Sequence, residues 1–433
     1  METRPFRGWR YVGSNDGQVG PMLAPPYDVL TGADKDRLLA GSRDNIVAVD
    51  MPHVPPKQLG PDAEYEQAAE LLAKWKTGGV LRQDPAPCVY VYEQTYHWSG
   101  RTYVRRGMIA GVRATELGVD VIPHEHVFAG PIADRLKLTQ LTRMQLSPIF
   151  GFYEDPAGTV GAILAAAAQG KARASGVLNG VTEKLWTIDD ADTIAKITRT
   201  LANTPVFIAD GHHRYTTALS YRKQLASAGQ LTDDHEANFV MFALVAKDDP
   251  GLLILPTHRL FSNLDPDGSV KKLSKVLPEF SWKKLGFAAG GAGGAQAVEQ
   301  LLAGASASAM AMVSGASAEL WLAELTRPEA MVAAAPDEND TWRALPSAII
   351  SKLIIDKGLR RWLPGGSPAV EYTASTADAI DACRNGRAQL AVCLKGIPIE
   401  AVEAIARSGS SMPHKSTYFY PKIATGMVLK PLV

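Results

Sequence analysis

Residues 205–226 constrain this chain more than any other stretch. Pro205-Val206-Phe207-Ile208-Ala209 is a short, uninterrupted apolar run of strand-forming residues, and Asp210-Gly211 breaks it. From Arg214 to Ala226 apolar side chains recur at helical spacing, so a strand, a glycine turn and a helix follow one another directly. A buried strand needs sheet partners and an amphipathic helix needs a sheet to cover. The chain is therefore predicted to be an α/β protein with mixed sheets.

The turn carries Asp210-Gly211-His212-His213-Arg214. With the helix starting at about His213, its first N–H groups lack internal partners and the helix dipole adds positive charge there. That makes an anion site, to which His212, His213 and Arg214 add donors, Arg214 by two parallel hydrogen bonds to phosphate. Asp210 has three uses open to it: capping the helix, orienting an imidazole, or holding a Mg²⁺ that arrives with a nucleotide. The plainer alternative is an N-cap aspartate beside histidines that fill a turn. A histidine metal cluster of His124, His126, His212 and His213 is the less favoured reading, because adjacent side chains diverge.

The same reading continues along the chain. Helices are predicted over 64–76, 134–144, 161–174, 191–202 and 214–226. Strands are predicted over 89–92, 107–112, 149–153, 181–188, 205–209, 239–245 and 252–255. Trp98-Ser99-Gly100-Arg101 reads as a hairpin turn. Ala288 to Ala295 is all Gly and Ala, hence a linker, and beyond it helices (297–302, 346–357) alternate with strands (370–373, 389–394). At 433 residues, three regions are expected: 1–120, an N-terminal α/β region; 121–287, the core with the motifs; and 296–433, a C-terminal α/β domain.

Lys+Arg and Asp+Glu each number 45, which leaves no excess positive charge for nucleic acid or an anionic membrane. Cys88, Cys383 and Cys393 form no CxxC pair and read as buried thiols in a reducing compartment. With no apolar signal core or membrane-length run, a cytoplasmic location is expected. A second candidate for chemistry is Pro123-His124-Glu125-His126, where a carboxylate between imidazoles suits a general base; a solvated turn is the even alternative. Asp134-Arg135 opens a helix. Lys415-Ser416-Thr417-Tyr418 supplies either further phosphate contacts or a strand pinned by aromatics.

From Pro5-Phe6-Arg7 to about Val428 the chain resembles the domain-of-unknown-function family 1015. The residues that carry the resemblance are Pro25-Pro26-Tyr27-Asp28, Pro123-His124-Glu125, Asp134-Arg135-Leu136, Ser147-Pro148-Ile149, 209–215, Leu255-Pro256-Thr257-His258-Arg259 and 412–422. Pro-His-Glu followed by Asp-Gly-His-His-Arg is also similar to the free-serine kinases of the ParB/sulfiredoxin superfamily. That resemblance implies a ParB/sulfiredoxin-like nucleotide-binding core with large insertions. It implies a kinase that uses ATP or ADP with Mg²⁺ on a hydroxyl metabolite such as serine.

Glu125 would then be the base and His213 a catalytic partner. Asp210, Gly211, His212, His213 and Arg214 would form the phosphate cradle, with Lys415 and Ser416 adding phosphate contacts and Asp210 meeting the metal. The alternatives are a nucleotide-binding switch without turnover and a phosphate-ester hydrolase. The expected partners are a nucleotide and a small metabolite, with a homodimer as the assembly considered. Because 85 positions separate Glu125 from Asp210, the segment 155–203 should be an α/β excursion that leaves the core and returns.

Overall fold

A computed structural model describes residues 1–13, 17–265, 269–288, 293–315, 318–363 and 369–433. The chain forms two compact units, Met1–Leu253 with Pro421–Val433, and Ile254–Tyr420.

The first unit is built on a nine-stranded mixed sheet. Its strands are β1 (Thr3–Arg4), β2 (Val89–Trp98), β3 (Arg101–Arg113), β4 (Val121–Ile122), β5 (Ile149–Tyr153), β6 (Ala174–Leu178), β7 (Val181–Ile188), β8 (Val206–Asp210) and β9 (Phe239–Ala246). They lie in the order β4-β8-β5-β9-β3-β2-β7-β6, with β1 against β3. Two neighbouring pairs, β4/β8 and β5/β9, are parallel; the other pairs are antiparallel. The hairpin β2–β3 turns on Ser99 and Gly100, both at positive φ, as a two-residue turn between twisted strands requires.

The continuous apolar runs in β5, β8 and β9 are buried along nearly their whole length, as expected of strands covered on both faces. The helices of this unit include α1 (Asp62–Thr77), α2 (Ala129–Thr142), α3 (Thr159–Ala167), α4 (Ala191–Leu201) and α5 (His212–Ser227). One cluster joins Val89, Met108 and Phe242 from the sheet to Val160, Leu164, Ile197, Leu201, Tyr215 and Leu219 from α3, α4 and α5. Each such side chain contributes roughly 1.5–3 kcal/mol on burial.

The segment 155–203 does not leave this core. Strand β7 pairs with β2 from Thr182 to Ile188, β6 extends the same edge, and α3 and α4 fill the common apolar cluster. The excursion widens the sheet, because its alternating strand buries one face over the helices that precede and follow it.

The second unit has a six-stranded sheet of β10 (His258–Ser262), β11 (Phe280–Ala288), β12 (Met310–Ser314), β13 (Glu319–Leu325), β14 (Ala369–Thr373) and β15 (Leu390–Leu394). Their order is β11-β13-β12-β15-β10-β14. Helices α6 (Gly294–Gly304) and α7 (Thr376–Arg384) cover it through Val298, Leu302, Ala379 and Ile380. Of the Gly/Ala run, residues 289–292 lie outside the described residues. Gly294 and Ala295 already belong to α6, so the helix begins earlier than its periodicity suggests, drawn on by burial of Val298 and Leu302.

Candidate functional site

The turn between β8 and α5 is shaped by a register shift and a glycine. Against β5, β8 slips between Ile208 and Asp210, a bulge that re-aims the Asp210 side chain. Gly211 follows at φ 100°, a left-handed conformation. A Cβ at this position would sit 3.0 Å from the guanidinium carbon of Arg214, which folds back over the turn. Among the described residues no side chain caps α5, so its first N–H groups stay available to an anion.

Charge is gathered tightly here. Arg214 donates to Asp210 Oδ2 at 2.7 Å, to Ser147 Oγ at 3.1 Å and to the Pro148 carbonyl. Lys422 Nζ donates to Asp210 Oδ1 at 2.5 Å. Burial alone would push the Asp210 carboxyl up. The Lys422 ammonium and then the Arg214 guanidinium outweigh it and hold the group well below the usual carboxylate range. Two cations therefore face one carboxylate, with both of its oxygens engaged. Asp210 does not fit the expected role of magnesium ligand, since a metal there would have to displace two ammonium-type donors. Among the described residues no group of three or more His, Cys, Asp or Glu is arranged to hold a metal ion, and His126 is exposed.

The second motif reaches the same place because β4 runs parallel to β8, Val121 opposite Val206 and Ile122 opposite Phe207. Parallel neighbours end on the same side of a sheet, so Pro123-His124-Glu125 and Asp210-Gly211-His212 leave their strands together. The His124 N–H donates to His212 Nε2 at 3.2 Å, and the two rings meet edge to face at 4.7 Å. With Nε2 accepting, the His212 proton sits on Nδ1, which lies 3.6 Å from Glu125 Oε2. Burial keeps His212 well below its usual range, reinforced by His124. Burial likewise lowers His124, against the pull of Glu125. Both rings are neutral at pH 7. His213 accepts from the Phe128 N–H at 2.9 Å and stacks on the exposed Phe128 ring, and burial lowers its pKa too. Glu125 itself is 36% exposed at its side chain.

Asp134, of the Asp134-Arg135 pair, is wholly buried. It accepts from Tyr65 at 2.7 Å and Arg135 at 3.0 Å, with His53 at 3.0 Å, and so serves as an internal junction. A cavity of about 50 Å³ beside Arg214 is lined by Asp50, Arg135, Ser147 and Thr217. That is room for a water or two and not for a nucleotide base. Lys415 and Ser416 belong to the second unit. Ser416 Oγ hydrogen-bonds Ser347 Oγ at 2.7 Å and donates to the Pro413 carbonyl, while Lys415 is exposed at φ 57°.

Lys422 and Ser147 had no site role in the sequence reading. Lys422 was visible only as the end of a basic, aromatic tail. Its place depends on a buried network: Tyr92 donates to Glu183 at 2.5 Å, and Gln94 donates to both Glu183 and the Lys422 carbonyl at 3.0 Å. Arg105 donates to Gln94 and, at 2.6 Å, to the Pro421 carbonyl.

These features describe a mixed α/β protein with a charged strand–turn–helix site. The family described as Protein of unknown function (DUF1015) matches residues 3–347, and the chain belongs to that family. The Met412 to Lys422 segment lies beyond the matched stretch. Among curated proteins nothing matches the chain. Among solved structures, a free serine kinase variant in complex with AMP is similar at 12% identity, TM-score 0.35, over 69% of this chain and 83% of that one. A conserved hypothetical protein from Pyrococcus furiosus is similar at 14% identity, TM-score 0.33, over 72% and 94%. SbnI from Staphylococcus aureus is similar at 10% identity, TM-score 0.34, over 75% and 87%. No helix among the described residues is long and apolar enough to cross a membrane.

Proposed function

We propose that the β8–α5 turn binds the terminal phosphates of a nucleotide, ATP or ADP, and that the chain transfers a phosphoryl group to a small hydroxyl metabolite. The observation that carries this reading is the meeting of Glu125 with His212 at 3.6 Å, beside an uncapped helix start and two cations. In the reaction Glu125 takes the acceptor hydroxyl proton as the new O–P bond forms. The bond from phosphorus to the leaving phosphate oxygen breaks, and that oxygen keeps the electron pair. The charge left there faces the α5 N–H groups, Arg214 and Lys422, and such positioning and electrostatic stabilisation are what phosphoryl transfer chiefly demands. The His212 Nδ1–H faces the Glu125 carboxylate at 3.6 Å and favours its charged form.

The test is a screen of serine, threonine and other hydroxyl metabolites with ATP or ADP, read by phosphorylated product. With the acceptor in hand, Glu125→Gln should bind nucleotide as the native chain does while turnover falls about 10²–10⁴-fold. Native turnover in Glu125→Gln would make Glu125 structural.

One observation favours a second reading. Asp210 already occupies Arg214 and Lys422, so an incoming phosphate competes with it for both cations. A nucleotide that rearranges these pairs without turnover acts as a switch. Nucleotide-dependent thermal stabilisation with no product from any acceptor is the result that would select it.

A further inference from the structure

Arg259, at the start of β10, is an arginine buried to 4% exposure in the second unit. Its guanidinium donates to the Thr257 carbonyl at 2.5 Å and the Lys415 carbonyl at 3.1 Å and lies 5.7 Å from the centre of the Tyr372 ring. Among the described residues no carboxylate pairs with it. The adjacent His258 is buried, and burial together with Arg259 pushes it down to about 4, so it is neutral and brings no negative charge. Burial likewise lowers the guanidinium itself to about 10, with only Tyr372 opposing. A buried cation held by two carbonyl dipoles and the face of a ring is poorly compensated.

What surrounds this charge is chemically suited to an anion. Lys415, exposed, adds a second positive charge, and its backbone is bent into the left-handed region at φ 57° where its carbonyl meets Arg259. The Thr257 hydroxyl is buried without a partner among the described residues. The half-exposed Tyr372 ring lies opposite Arg259 on β14 and meets the exposed His414 ring edge-on at 6.2 Å. Two segments more than 150 positions apart, 257–259 and 414–415, thus meet at a buried fork, where the Lys415 carbonyl accepts from Arg259 and the residue itself is exposed.

We infer that Arg259 and Lys415 form an anion subsite in the second unit that takes a phosphate group, free or carried on a small metabolite. The guanidinium supplies planar, directional N–H donors not used by the two carbonyls, and the exposed Lys415, whose carbonyl Arg259 holds, supplies a second cation for the anion. The subsite is separate from the β8–α5 turn in residues and in unit, so it stands or falls independently of the kinase reading.

The experiment uses the full chain labelled with ¹⁵N-arginine, the Nε–H resonance of Arg259 being identified by its loss in Arg259→Lys. Inorganic phosphate should shift that resonance and give a calorimetric titration. Lys415→Ala, at an exposed position, should weaken the titration about tenfold, the size of one charge-assisted hydrogen bond, and Lys415→Arg should restore it. ADP is the second arm: a shift with ADP but not with phosphate identifies a metabolite-borne phosphate, and the reverse identifies the free anion. Silence of the Arg259 resonance to both probes, or phosphate binding unchanged in Lys415→Ala, overturns the proposal and leaves Arg259 as a strut between β10 and residue 415. Loss of nucleotide binding at the β8–α5 turn with the Arg259 response intact would remove the kinase reading alone.

Discussion

Arg214 and Arg259 are both largely buried arginines, one in each unit, and their surroundings differ in one respect. Arg214 has a carboxylate at 2.7 Å, and Lys422 shares it, so the first unit's charges are closed on one another. Among the described residues Arg259 has only carbonyl oxygens and a tyrosine ring. The first arrangement holds itself together without ligand and must be opened by one. The second is left in want of negative charge. On the two proposals, a ligand phosphate would replace Asp210 in one unit and supply a missing partner in the other.

Removing the carboxylate should make the first region resemble the second. Asp210→Asn leaves Arg214 and Lys422 without a counter-charge, and the expected cost is about 3–5 kcal/mol in urea unfolding. Added phosphate should recover part of that loss in the variant and little in the native chain. A variant as stable as the native chain would show that the Asp210 pairs are not what holds the turn.

The network that carries Lys422 to Asp210 can be loosened by pH. Burial pushes the Glu183 carboxyl up to about 7, against the lowering effect of its bonds from Tyr92 and Gln94. Because the folded pKa is raised, the contribution is fully present below the usual glutamate range and is lost as pH rises through about 7. A shift of that size corresponds to about 3 kcal/mol. Glu183→Gln should therefore flatten the fall in stability between pH 5 and pH 8 measured by denaturant midpoints. An unaltered slope would place the titration elsewhere.

Arg214→Ala should weaken ATP or ADP binding by about 1.5–3 kcal/mol in calorimetry. Equal affinities would assign Arg214 to the Asp210 and Ser147 bonds alone. The smallest effect is expected at Ser416→Ala. Loss of the bond to Ser347 should cost about 1 kcal/mol of stability and leave phosphate affinity unchanged, in contrast to Lys415→Ala. A drop in phosphate affinity equal to that of Lys415→Ala would return Ser416 to the anion site.

The sequence by itself determined the local elements and the mixed α/β class. Ile149–Tyr153 and Val181–Ile188 were legible to the residue, since apolar runs and alternation report burial directly. The glycine turn at 211 was legible as well, because a strand that becomes a helix within three residues needs a left-handed position. Only the tertiary structure decided what those elements do together. The parallel pairing of β4 with β8 carries Glu125 to His212, and the antiparallel pairing of β7 with β2 turns an apparent excursion into sheet. The C-terminal return brings Lys422 to Asp210 across 212 positions. Periodicity reads each segment against its own neighbours in the chain. Strand partners and buried counter-charges are chosen by fitting surfaces together across the whole fold, and no local pattern contains that choice.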